Sequence, residues 1–151
     1  MKRIVLPLCF ALLSGSALAQ VQVDEPWVRA TVAQQKATGA FMRLTSPTDA
    51  RLVGVASPVA GVAEIHEMVM QDNVMKMRPI EALALPAGQA VELRPGGYHV
   101  MLLDLRAQVK AGEEVPLSIV VEHAGGQRET IELRVPVRAL NAAGGHAPAR
   151  H

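Results

Sequence analysis

An all-β domain of short antiparallel strands is the fold this sequence predicts, on three observations. Apolar and polar residues alternate at period two in several segments, the mark of a strand with one buried face. Clusters of Gly, Pro, Asn, Asp and Ser interrupt the chain at short intervals. No long segment repeats its apolar residues at the helical period. Together these are the pattern of an antiparallel sandwich or a Greek-key barrel.

The elements follow in chain order. Gly39 to Thr45 and Arg51 to Ala56 are strand-like and are separated by Ser46-Pro47-Thr48-Asp49. Ala63 to Met70 and Val74 to Met77 flank Asp72-Asn73, a turn short enough to fold one segment against the other. Ala90 to Leu93 lies between Pro86-Ala87-Gly88 and Pro95-Gly96-Gly97, and the latter turn delivers His99 to Leu103. Ala107 to Glu114 has room for at most one turn of helix. The clearest alternation comes last: Val115, Leu117, Ile119 and Val121 form one apolar face, and Ile131, Leu133, Val135 and Val137 form another. His123-Ala124-Gly125-Gly126-Gln127 makes them a hairpin, and His123, placed in that turn, is expected to be solvated.

The chain has 151 residues and a net charge of +1, with 3% aromatic residues and no run of Lys or Arg to follow a phosphate backbone, which argues against nucleic-acid binding. Residues 1–19 read as a secretory signal: Lys2 and Arg3, then apolar Ile4 to Leu13, then Ala17-Leu18-Ala19. The apolar run is shorter than the ~20 residues a bilayer span needs, so the mature protein is expected to be exported with no membrane span. Cys9 sits inside that run after Leu8 and does not read as a lipid anchor. Cleavage after Ala19 would leave 132 residues with a net charge of −1 and no thiol. Neither disulfides nor thiolate metal sites are then possible, and residues 20–140 must rely on an ordinary core. Residues 141–151 hold no large apolar side chain and are expected to form a flexible tail carrying His146 and His151.

The methionines are unevenly placed. Five of the seven, Met68, Met70, Met75, Met77 and Met101, fall between His66 and Met101, a stretch that also holds His99. Side chains at i and i+2 of a strand share a face, which groups His66 with Met68 and Met70, Met75 with Met77, and His99 with Met101. Glu67 falls on the face opposite His66. A lone strand methionine is more often core packing than a ligand, so it is the joint arrangement that points to a metal. Thioether sulfur favours Cu(I) and imidazole suits copper generally, whereas zinc usually recruits Cys or a carboxylate. A blue-copper centre needs a Cys thiolate, which the mature chain lacks. No nucleophile or general base accompanies the cluster, so an enzyme is not expected. Trp27 reads as a core or rim anchor.

His66, Met77, His99 and Met101 together have the spacing H-x10-M-x21-H-x-M, and this resembles the periplasmic copper chaperone family PCu(A)C. Pro26-Trp27-Val28-Arg29-Ala30 with Thr38-Gly39-Ala40-Phe41 is similar to the family's N-terminal block. Met75-Lys76-Met77-Arg78-Pro79 and Pro95-Gly96-Gly97-Tyr98-His99-Val100-Met101-Leu102 are similar to its two later blocks, so the match runs from about Val21 to Val137. The resemblance implies a cupredoxin-like Greek-key fold that holds Cu(I) through His66, Met77, His99 and Met101; separately, the chain is expected to be a monomer. It also implies delivery to the copper-centre subunit of cytochrome c oxidase or to another copper chaperone. A copper-buffering or tolerance protein without a dedicated acceptor would use the same ligands. Met68 and Met75, each two residues from a proposed ligand, stay open as auxiliary ligands, and the tail histidines read either as part of an inert tail or as a weak Cu(II) site. Where the family often has Gly in the turn after the first histidine strand, this chain has Asn73, which also tolerates positive φ.

Overall fold

The computed structural model describes residues 20–139. The predicted signal with Cys9, and the tail with His146 and His151, lie outside the described residues. Ten strands form the described domain: β1 (Gln22–Arg29), β2 (Ala37–Thr45), β3 (Ala50–Ala56), β4 (Ala60–Gln71), β5 (Val74–Ile80), β6 (Leu83–Leu85), β7 (Ala90–Leu93), β8 (His99–Leu105), β9 (Glu114–His123) and β10 (Arg128–Arg138).

Every strand segment read from the sequence is present. Two strands escape that reading, for local reasons. In β1, Asp24, Glu25 and Pro26 interrupt the alternation, because Glu25 takes a φ of 48° and the register with β2 slips between Asp24 and Trp27. In β6 there are only three residues, too few to show a period. Ala107 to Glu114 holds no helix; Val109 is buried instead, its N–H donating to Thr31 Oγ1 at 2.9 Å and its carbonyl accepting from the Thr31 N–H at 2.8 Å.

The strands run in the order β5-β4-β8-β2-β1-β10-β9-β3-β6, with β7 also paired to β2. Nearly all pairs are antiparallel, but the end of β10 lies parallel to β1, Val28 beside Val137. That pairing joins a β5-β4-β8-β2-β1 face to a β10-β9-β3-β6 face, and the core fills the space between them. Ala40, Met42 and Leu44 of β2 and Val100 and Leu102 of β8 meet Leu52 of β3 and Val115, Leu117, Ile119 and Val121 of β9 there. Since alternate side chains of a strand point to opposite faces, the odd-numbered residues of β2, those of β8 from His99 to Leu103, and the even-numbered ones of β4 from Val62 onward stand on the outside of the first sheet; beyond the left-handed Asp104 the alternation breaks and Leu105 turns into the core. His66, Met68, His99 and Met101 all belong to that outer set.

Candidate metal centre

Strand register assembles the site. His66 on β4 pairs with His99 on β8, Glu64 pairs with Met101, and on the other side of β4, Met68 pairs with Met77 of β5. Asp72 and Asn73 both adopt left-handed φ, 51° and 62°, which makes the β4–β5 connection the primed two-residue turn that matches strand twist. Asn73 therefore does the work of the expected glycine. From the hydrogen-bonded pair Gln71–Val74 that closes such a turn, paired residues alternate in type. Met70–Met75, Met68–Met77 and His66–Pro79 then fall at non-hydrogen-bonded positions, so Pro79 leaves no ladder bond unmade. At the start of β8, Gly96 has a φ of 83°, and the Arg94 N–H donates to the Tyr98 carbonyl at 2.9 Å, which fixes where His99 begins.

Both imidazoles are buried, and their ring centres lie 5.6 Å apart. Each is held by one nitrogen. Nε2 of His66 lies 2.7 Å from Glu64 Oε2, and Nδ1 of His99 lies 2.9 Å from the Gly97 carbonyl. Both partners are acceptors, so in the neutral rings the proton sits on those nitrogens and the others, His66 Nδ1 and His99 Nε2, carry a bare lone pair. Neither of these atoms has a partner although both are buried. A buried polar atom left unmatched costs about 1–3 kcal/mol, and a soft cation on the lone pairs removes that cost. Burial lowers the His99 pKa from its ordinary 6.5, and the nearby Arg29 charge pushes the same way against the Gly97 hydrogen bond, so the ring is held neutral, the form that ligates.

The thioethers stand in the opposite regime. Met77 is 53% exposed, while Met68 and Met101 are half-buried. A cavity of about 280 Å³ has Met68, Met77, His99 and Met101 on its walls, with Arg29 and Phe41 behind them. Thus Met77, His99 and Met101 share one cavity, and His66 adjoins it through its neighbour His99. Met68 lies in the same cavity, whereas Met75 is 48% exposed further along the hairpin. Glu67 faces away and pairs with Arg78 on the other side of the hairpin.

The N-terminal block supports His99 from beneath. Phe41 lies 6.4 Å from His99, Trp27 lies 4.6 Å from Phe41, and the Arg29 guanidinium sits 5.5 Å from the Phe41 ring. Trp27 is a half-buried rim residue, as expected. Gly39 gives Phe41 its place, since a Cβ there would come within 2.7 Å of the ring. Sequence reasoning passed over Glu64, although it shares a strand face with His66 at i−2 and the same period-two rule finds it.

Elsewhere one expectation is corrected. His123 is not solvated: it is buried at the end of β9, with Nδ1 2.9 Å from Thr48 Oγ1 and Nε2 2.8 Å from Glu129 Oε2. The β2–β3 connection folds over it, a long-range contact that no local turn pattern reveals.

A sequence model of the LpqE-like lipoprotein family matches residues 21–137. A Leifsonia xyli subsp. xyli protein described as a lipoprotein is 31% identical over 130 residues, 85% of this chain and 76% of that one. The solution structure of Cu(I)-loaded DR1885 from Deinococcus radiodurans is similar at 29% identity, with 89% of each chain covered and a TM-score of 0.59. The copper-bound PCuAC domain of PmoF2 has the same cupredoxin-like fold, at 23% identity and a TM-score of 0.64, covering 82% of this chain and 96% of that domain.

Proposed function

Because this chain belongs to the LpqE-like family and its own fold is similar to that of PCuAC domains, we propose that it is a periplasmic Cu(I) chaperone. It takes the ion through His66 Nδ1, His99 Nε2 and the thioethers of Met77 and Met101, and it passes the ion to the copper centre of cytochrome c oxidase. The observation that carries this reading is the pair of buried, unpartnered imidazole lone pairs beside exposed thioether sulfur. Beside those lone pairs the cavity wall carries Met68, Met77 and Met101, a donor set of imidazole and sulfur suited to Cu(I). The Cu(I)-loaded relative at 29% identity gives further support.

The ion is cargo, and the asymmetry of the site suits cargo. The histidines are fixed by Glu64 and Gly97 and lie under the surface, so they retain the ion. Met77 is open to water, so an acceptor's ligand can approach from that side and replace the thioethers one at a time. Thioether carries no proton to be taken up or released, so exchange on that side leaves the protonation of the protein unchanged. No bond other than metal–ligand bonds is made or broken. Export through residues 1–19 would bring the protein to the compartment in which that acceptor folds.

The test mixes the Cu(I)-loaded protein with an apo copper domain of the oxidase and follows the metal. Transfer down the affinity gradient is the expected result. Retention by this protein, despite a more avid acceptor, would favour the buffering role. In parallel, Met77→Leu is expected to weaken Cu(I) binding without lowering the melting temperature, whereas Met42→Leu, a near volume-conserving change in the core, leaves the affinity unchanged.

A further inference from the structure

The four-residue centre leaves the hairpin tip unexplained. Met70 and Met75 pair directly across β4 and β5, next to the turn, and are 65% and 48% exposed. Methionine as core filler would be buried, and these side chains point away from the core. By strand parity, one face of the hairpin carries His66, Met68, Met70, Met75, Met77 and Pro79. Glu67, Gln71, Lys76 and Arg78 all fall on the other face. The outer face beyond the histidines is therefore sulfur without a charged or oxygen-bearing side chain, running from the buried centre to the tip. Met70 and Met75 occupy a non-hydrogen-bonded pair, where Cα atoms stand about 4.5 Å apart and side chains approach most closely. Met68 lies one two-residue step away, about 6–7 Å along the strand.

We propose that Met70 and Met75, with Met68 between them and the centre, form a second Cu(I) site, made of thioethers alone and weaker than the histidine centre, through which the ion enters and leaves. This rests on the copper reading above. Lacking imidazole, and with exposed side chains that lose rotamer freedom when ordered, the tip binds loosely. Met68 is within reach of both positions, so the ion moves by exchanging one thioether for another. It remains Cu(I) throughout, and no proton or electron is transferred.

Methyl NMR of the protein labelled at its methionine methyl groups, titrated anaerobically with Cu(I), tests this without any variant. The first equivalent is expected to move the Met77 and Met101 signals, and only the second those of Met70 and Met75. Met70 and Met75 signals that stay fixed in excess Cu(I), as for a surface that only docks protein, overturn the proposal, as does their saturation with the first equivalent. If Met77 and Met101 stay fixed, it is the copper reading of the histidine centre that fails, whatever the tip does. The double variant Met70→Leu/Met75→Leu should lose the second equivalent and keep the first at unchanged affinity, while transfer to a Cu(I) chelator slows several-fold. An unchanged transfer rate would remove the tip from the ion's path.

Discussion

Three histidines are buried in this domain, and they fall into two kinds. His123, between the β2–β3 connection and the β9–β10 hairpin, has both nitrogens occupied by the protein, Thr48 on one side and Glu129 on the other. His66 and His99, on the outer face of the opposite sheet, each have one nitrogen occupied and one bare. Burial alone does not distinguish them. A fully matched imidazole is a strut that ties two loops together, and one with an empty lone pair is a seat held open for something else. The surroundings follow the same division, with a hydroxyl and a carboxylate around His123 and thioethers around His66 and His99.

Exchanging the roles of the two kinds would break this contrast. The largest effect expected is from His99→Ala, which should lower Cu(I) affinity by more than the roughly 10- to 100-fold typical of losing an outer-shell partner, while His123→Ala leaves it unchanged. Chelator competition on both variants measures it, and an equal loss in His123→Ala would erase the distinction. Next comes Glu64→Ala, expected to cost about 10- to 100-fold in Cu(I) affinity because His66 loses the acceptor that fixes its tautomer. Nitrogen NMR of the His66 ring should show the proton leaving its fixed place on Nε2.

In stability the order reverses. His123→Ala leaves Thr48 and Glu129 without their shared partner and should destabilise the domain by about 1–3 kcal/mol in urea unfolding. His99→Ala should cost the metal-free protein less, because it removes an atom that was already unmatched. The smallest effect is on pH. The folded His99 pKa lies below its ordinary 6.5, so as pH falls the unfolded chain takes up a proton first. The stability that His99 contributes is then complete above about 6.5 and is lost from there down to the lowered value. Melting temperatures of the metal-free protein between about pH 7.5 and 5 should fall accordingly, and less steeply in His99→Ala. Bound Cu(I) competes with the proton and should move the fall to lower pH.

Much of this was open to inspection in the chain itself. Period two is a local property of neighbouring residues, so the β9–β10 hairpin, β7 and the strands bearing the methionines can be read directly, and Asp72-Asn73 declares its own turn. The donor cluster could be recognised because residue chemistry is local too: imidazole and thioether gathered in one stretch point to a soft metal, and the family resemblance singled out His66, Met77, His99 and Met101 within it. Glu64 was equally legible at i−2 from His66.

Other features belong to the tertiary structure. Whether a methionine on a strand packs or ligates depends on which face the sheet buries, and that is set by strands distant in sequence: β8 must lie between β4 and β2 before His99 can meet His66, and β9 must close the core before Met77 is left outside it. The fate of His123 was decided in the same way, by a loop 75 residues away in the chain. Sequence by itself determined which residues could bind a soft metal, because donor chemistry travels with the side chain. Only the fold decided which lone pairs stayed bare, because satisfying a buried nitrogen requires a partner that only long-range packing can supply.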